Sequence, residues 1–229
     1  NAPVLPPVLS GHDDPTLARA NGGDLNGTYA FDDEGVPAQR VTVVEGGILK
    51  GFLTSRSPIA GFEHSNGHGR KAPGYRPVGR QANLVVAASE TVSETGLREL
   101  LLAECRRQGK PYGLVFADIS GGFTFTGRGV PQAFQVEPLV VYRVWADGRP
   151  DELVRGAEII GTPLVSFSRI LAASDQTQVF NGFCGAESGW VGVSAVAPSI
   201  LTAQIEIQKR EKSADRPPIL PPPGLGVHS

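Results

Sequence analysis

Hydrophobic and polar residues alternate over short stretches of this chain, and turns rich in glycine or proline separate those stretches. The clearest example is 201–208, where Leu201, Ala203, Ile205 and Ile207 fall on one face. This period of two residues is typical of a β-strand. Comparable strand signals occur at 28–31, 39–44, 48–53, 84–87, 112–117, 123–126, 133–145 with a break near Pro138, 152–160, 179–183 and 191–196.

One segment has the period of an α-helix. Four apolar residues at i, i+3, i+4 and i+8, from Leu97 to Cys105, form a single stripe and predict a helix from about 93 to 108. Ser93 is suited to cap its N-terminus, and Gly109 is suited to end it. Because Cys105 lies on the apolar stripe, we expect this cysteine in the core.

Three parts are distinguishable along the chain. Residues 1–27 are rich in prolines and turn formers and predict a loop-rich opening segment on the surface, 28–212 predict a β-rich domain, and the proline-rich 213–229 predict a disordered, extended tail. Within the domain, 54–83 predicts a long loop and 165–172 fits either a strand or a helix. The patterns together predict an α+β fold that is predominantly antiparallel β, with a barrel-like or sandwich-like sheet and one main helix.

Composition and charge narrow the possible classes of function. With 29 glycines, 19 prolines and 7% aromatic residues, the 229-residue chain favours strands and turns over a helical bundle. A net charge of −2 without a concentrated basic face argues against nucleic-acid binding, and the apolar runs are too short to predict a membrane span. Two cysteines in a chain of this length favour a reducing compartment, and we expect the cytoplasm. Because the chain begins at Asn1 and contains no methionine, we expect a segment of a longer polypeptide.

Cys184 is the residue with the clearest chemical potential, and it lies in the sequence NGFCG at 181–185. A thiolate binds a metal or attacks a bond when a nearby cation, metal or helix N-terminus stabilises its charge, and catalytic zinc usually takes three protein ligands. Because the pattern identifies one such ligand, it indicates half of a metal site. His64 and His68 have the i, i+4 spacing of a zinc-binding pair, but the glycines and proline around them disfavour the helix that this pair requires.

Other patterns mainly exclude classes of protein. The acidic run at 32–34 lacks the alternating oxygen ligands of a calcium loop and predicts a turn between strands. The chain has no Gly-x-Ser-x-Gly elbow, phosphate-binding glycine loop or Cys-x-x-Cys pair, which argues against serine hydrolase, nucleotide-binding and thioredoxin-like proteins.

Four motifs in series resemble the C-terminal half of the TldD/PmbA family. They are DDEGVPAQR at 32–40, GGILKGFL at 46–53, NGHGR at 66–70 and NGFCG at 181–185. Their order and approximate spacing agree with the family from about residue 14 to residue 208. The resemblance implies a zinc metallopeptidase that acts on unfolded or peptide substrates, as a heterodimer of an active TldD-like and an inactive PmbA-like subunit.

The same resemblance implies where the catalytic groups lie. In the active subunit, two histidines of a His-Glu-x-x-x-His helix and a later cysteine bind zinc, and Cys184 matches that cysteine. No His-Glu-x-x-x-His occurs in this sequence. The resemblance therefore implies that the general base and the other ligands lie upstream of Asn1, with no catalytic residue within this chain. The partners it implies are the N-terminal half of the same polypeptide, a TldD/PmbA-type subunit in a homo- or heterodimer, and a peptide substrate.

The loop motif at 66–70 has two interpretations. Family members are thought to bind peptide in extended form at a sheet edge, so Asn66, His68 and Arg70 are candidate substrate-binding residues beside the cleft. The same residues also fit a structural turn. A rival hypothesis for the whole chain is a non-catalytic, PmbA-like binding or assembly subunit, although Cys184 favours the TldD side.

Overall fold

A computed structural model describes residues 2–125, 129 and 132–210 of the chain. Its helices are α1 (Glu94–Arg107) and α2 (Pro163–Phe167), and its strands are β1 (Leu9–Asp13), β2 (Arg19–Ala20), β3 (Gly23–Asp24), β4 (Val41–Glu45), β5 (Ile48–Leu49), β6 (Gly69–Arg70), β7 (Val78–Gly79), β8 (Asn83–Ala88), β9 (Tyr112–Phe125), β10 (Ala133–Trp145), β11 (Glu152–Val154), β12 (Ala157–Gly161), β13 (Ile170–Ala186), β14 (Gly189–Thr202) and β15 (Glu206–Lys209). This is the predicted α+β fold, with strands far more abundant than helices.

Two larger sheets form the body of the domain. The first has the order β13-β14-β8-β1-β4-β5, antiparallel except where β14 runs parallel to β8. The second has the order β11-β10-β12-β15, and β9 pairs along the other side of β10. Over the described ranges both sheets are open, so the barrel-like alternative is not what forms. None of the helices in these ranges is long and apolar enough to cross a membrane.

The helix α1 forms as its sequence predicts. Ser93 caps the N-terminus by accepting a hydrogen bond from the Gly96 backbone, and Gly109 follows the C-terminus with φ of +64°. The helix packs against β9, β13 and β14 and buries Leu97 and Cys105. The prediction of Cys105 as a core residue is therefore confirmed, and burial raises the pKa of its thiol.

The opening segment differs from the prediction of a surface loop. Residues 9–13 form β1, which lies between β4 and β8 inside the first sheet. Leu9 is 2% exposed and packs in a core cluster with Ile170 and Ala173. The other inward end of the strand is Asp13, which is buried through hydrogen bonds. A strand with a buried aspartate has no apolar alternation, so the sequence pattern missed it.

Other differences are local. Residues 28–31 form no strand and make only a bridge from Phe31 to Pro37. The ambiguous segment 165–172 is helical through Phe167, and β13 begins at Ile170. The alternating run at 201–208 is divided between the end of β14 and the start of β15. The predicted tail at 213–229 lies outside the described residues.

Candidate functional site

Cys184 lies near the end of β13, beside the turn that joins this strand to β14. It pairs with Val191, which is 5% exposed, and directly paired residues project from the same face of a sheet. The thiol is free and half-buried. A Cβ at Gly185 would lie 3.0 Å from the Trp190 ring, so glycine at this position makes room for an exposed indole on the face of the hairpin opposite the Cys184 side chain. The NGFCG sequence thus presents one partly accessible thiol on a long hairpin.

A buried arginine holds the turn of this hairpin. Arg80, which is 5% exposed, donates hydrogen bonds to Ser188 Oγ at 2.7 Å and to the Gly189 carbonyl at 3.0 Å. It also donates to the backbone carbonyl of Cys184. Arg70 binds the same hairpin further from the turn, by donating to the Gly192 carbonyl at 2.8 Å. The guanidinium groups of Arg70 and Arg80 therefore hold the hairpin backbone on either side of the position where Cys184 pairs with Val191.

The candidate residue His68 is fully buried and contacts a buried carboxylate. Its Nε2 lies 3.1 Å from Asp13 Oδ1, and both side chains are 0% exposed. Its Nδ1 lies 3.0 Å from the carbonyl oxygen of Asn66. Both ring nitrogens therefore face oxygen atoms, and these two contacts fix the orientation of the imidazole ring. Asp13 also accepts hydrogen bonds from the Ala82 backbone at 3.0 and 3.1 Å.

Asn66 and Arg70 also bind other parts of the chain. Asn66 accepts from the Thr54 backbone at 2.9 Å and donates to the Phe52 carbonyl at 2.9 Å. Arg70 lies over the ring of Tyr29, 4.9 Å from its centroid, and burial lowers the pKa of the guanidinium. These contacts describe an ordered, internally bonded loop. A direct role of Asn66, His68 and Arg70 in substrate binding stays a prediction.

The acidic run at 32–34 forms a turn that binds this loop. Asp32 accepts from the backbone amides of Glu34, Val36 and Gly69 at 2.9 to 3.0 Å. Glu34 packs so closely that a Cβ on Gly69 would lie 2.1 Å from its carboxylate. The prediction of a turn is confirmed, and its carboxylates are engaged with backbone amides.

The four motifs that carry the family resemblance therefore form one connected unit. The acidic turn binds Gly69 of the loop motif, and Phe52 of the GGILKGFL motif accepts a hydrogen bond from Asn66. Arg70 binds Gly192, which pairs with Phe183 in the NGFCG strand. Residues far apart in sequence are thus assembled around the cysteine hairpin.

The described residues fit one ligand of a zinc site and do not fit a complete one. Zinc accepts thiolate, imidazole and carboxylate donors, and Cys184 supplies a donor of the right type. Within residues 2–125, 129 and 132–210, however, no group of three or more His, Cys, Asp or Glu is arranged to hold a metal. His68 is engaged with Asp13, and His64 is exposed on an irregular loop.

Sequence reasoning missed Asp13 and Arg80 as residues of this unit. Asp13 lay in a segment predicted as loop, and Arg80 is an isolated arginine among prolines and glycines. A cationic side chain next to a β-strand gives no local signal of burial, because its partners are carbonyl groups about a hundred residues away.

The fold and the cysteine hairpin together define a mostly antiparallel α+β domain that presents one partly accessible cysteine thiol. A sequence model of the family described as "PmbA/TldA metallopeptidase C-terminal domain" matches residues 1–209, and the chain belongs to this family.

Individual relatives agree with this assignment. The chain is 28% identical over 190 residues to a protein named metalloprotease from Methanothermobacter thermautotrophicus, covering 82% of this chain and 37% of that protein. It is 24% identical over 211 residues to a metalloprotease TldD homolog from Haemophilus influenzae, covering 89% and 39%. The crystal structure of TldE from Thermococcus kodakarensis has the same fold, with a TM-score of 0.61 at 18% identity over 90% of this chain and 40% of that one. The chain thus spans about two fifths of the length of these relatives.

Proposed function

We propose that this chain is the part of a TldD-like zinc-dependent peptidase that supplies one zinc ligand, Cys184. The other ligands and the general base would lie on a His-Glu-x-x-x-His helix upstream of Asn1, so the chain alone would be catalytically incomplete. The observation that carries the proposal is the free, half-buried thiol of the NGFCG motif, on a hairpin fixed by long-range hydrogen bonds. The relatives named metalloprotease support a metal-dependent activity.

Within that proposal, the residues of this chain bind and orient. Bound zinc would polarise the scissile carbonyl and lower the pKa of a water ligand. Cys184 would provide a thiolate donor, which must be deprotonated to bind metal. The loop and turn motifs would hold the hairpin in place relative to the rest of the enzyme.

A peptide-binding edge is a further part of the proposal. β13 is the end strand of the first sheet, and over 177–186 it pairs with β14 alone among the described strands. Phe183 is 69% exposed on this strand, and Trp190, which lies on β14 opposite Gly185, is 70% exposed. A strand whose outer edge has no partner among the described strands, and which carries exposed aromatic side chains, suits the addition of an extended peptide, which would be the unfolded or peptide substrate.

The metal part of the proposal is tested with matched cysteine variants. Zinc content and peptidase activity are measured for the longest product of the reading frame and for the 229-residue chain, as wild type, Cys184→Ala and Cys105→Ala. We expect near-stoichiometric zinc and activity in the longest product, loss of both with Cys184→Ala, and retention of zinc with Cys105→Ala. Zinc and activity retained in the Cys184→Ala variant would overturn the assignment.

The rival hypothesis is a PmbA-like binding or assembly subunit without catalysis. A long edge strand with exposed aromatic side chains, such as β13, would also suit a subunit interface. This hypothesis expects a longest product that binds no zinc and gains activity only with a second, active subunit. In either case we propose a dimer with a TldD/PmbA-type subunit, in the cytoplasm.

A further inference from the structure

Arg80 is unusual because its buried charge has neutral partners. Its recorded hydrogen-bond acceptors are Ser188 Oγ and the carbonyl oxygens of Gly189 and Cys184. Among the residues that the structure describes, no carboxylate lies within ion-pair distance of the guanidinium. Burying a charge is unfavourable unless it is well hydrogen-bonded, and bonds from a charged donor are about twice as strong as neutral ones. All three of these hydrogen bonds from Arg80 go to residues at or next to the hairpin turn.

The acceptors lie on both strands of the hairpin. Cys184 is close to the end of β13, whereas Gly189 begins β14. A single planar guanidinium thus cross-links the two strands next to the turn, with its fork geometry setting the spacing of the acceptors. Because the Cys184 carbonyl is one of them, the backbone of the cysteine itself is held.

The backbone of Arg80 is itself held by the loop that contains His68. Its backbone N–H donates to the His68 carbonyl at 2.9 Å, and His68 is anchored by the buried contact to Asp13. The opposite side of the turn is held by the Ala72 backbone, which donates to the Ser188 carbonyl at 2.8 Å. A continuous series of buried contacts therefore connects Asp13 in β1, through His68 and Arg80, to the backbone carbonyl of Cys184.

We propose that Arg80 is a positioning residue for Cys184, which holds the β13–β14 turn so that the thiol is presented in one fixed place. The purpose of this positioning rests on the proposed function, in which the thiol must meet zinc ligands from elsewhere in the enzyme. The positioning itself is a property of this chain and is measurable without metal.

The first test compares Arg80→Gln with Arg76→Gln in the 229-residue chain. Arg76 lies on the same loop and is exposed, so its variant makes the same change of charge at a position without buried contacts. Alkylation of the two cysteines is followed by peptide mass spectrometry, and backbone hydrogen exchange is measured over 183–192. In Arg80→Gln we expect the labelling rate of Cys184 and the exchange of these amides to rise about tenfold, a change of about 1.4 kcal/mol in local opening. The buried Cys105 reports whether the whole domain has opened.

Two milder variants keep the test decisive if Arg80→Gln fails to fold. Ser188→Ala removes one acceptor and leaves the arginine in place, and Arg80→Lys keeps the charge without the fork. In both variants, the labelling rate of Cys184 and the exchange over 183–192 should rise above those of Arg76→Gln, by less than tenfold. Unchanged labelling and exchange relative to Arg76→Gln, or an equal rise at Cys105, would overturn the proposal.

A second readout connects the residue to the metal. In the longest product, Arg80→Gln should weaken zinc binding about tenfold in chelator competition while Arg76→Gln leaves it unchanged. Unchanged zinc affinity with a loosened hairpin would limit Arg80 to a structural role and refute the metal-binding purpose of this positioning. Failure of the proposed function would be recognised separately, because the wild-type longest product would then bind no zinc or Cys184→Ala would retain it.

Discussion

Replacement of Asp13 by alanine should destabilise the domain more than the same replacement at any exposed aspartate. The carboxylate is 0% exposed, lies 3.1 Å from His68 Nε2 and accepts two contacts from the Ala82 backbone. Its removal leaves a buried imidazole N–H and a buried amide without their acceptor. A buried polar group left without its partner costs about 1–3 kcal/mol, so two such groups cost about 2–6 kcal/mol, which in a domain of this size lowers Tm by about 4–24 °C.

The assay is urea unfolding followed by fluorescence of Trp145 and Trp190, together with thermal unfolding. Asp24→Ala is the matched control, because Asp24 also forms an ion pair, with Arg19 at 3.0 Å, but both side chains are well exposed. Exposed pairs contribute about 0–1 kcal/mol, so this variant should remain close to wild type. If Asp13→Ala lost no more stability than Asp24→Ala, the view of Asp13 as a buried cross-link would be refuted.

Three further perturbations follow from the same contacts. Asp32→Ala should lower the free energy of unfolding by about 2–4 kcal/mol, because three backbone amides lose their carboxylate acceptor. The zinc content of the longest product, per folded molecule, should stay unchanged. Loss of metal without loss of stability would contradict this structural role of Asp32. Gly189→Ala should cost about 1–3 kcal/mol in urea unfolding, because its φ is +82° and the new Cβ would lie 2.6 Å from that of Ala72; a neutral result would show that the turn can relax. Burial and then the charge of Arg40 lower the pKa of His12 below 6.5, so the folded state binds this proton less readily than the unfolded state. The contribution of neutral His12 to stability is present above pH 6.5 and is lost as pH falls through the folded pKa. The free energy of unfolding of His12→Gln should therefore fall less steeply than that of wild type between pH 7.5 and 5. The same pH dependence in both proteins would contradict the lowered pKa of His12.

The connected unit explains why the family motifs occur together. Gly67 has φ of +76°, and a Cβ there would lie 2.3 Å from the Pro37 carbonyl, so the loop motif and the acidic turn motif require each other. Gly69 meets the Glu34 carboxylate in the same way. The loop and turn motifs therefore support the hairpin that carries Cys184, and the thiol of this cysteine is the group that remains free.

Local information in the sequence determined the helix, its caps and the buried Cys105, since apolar period and capping side chains act within a few residues. It also determined the strand-rich class and, through the motifs, the candidate Cys184. Tertiary structure alone decided that Asp13 lies inside a sheet, that His68 is buried against it and that Arg80 holds the cysteine hairpin. The physical reason is that a polar side chain is buried only when its partners arrive, and here the partners are 55 to 109 residues away in sequence.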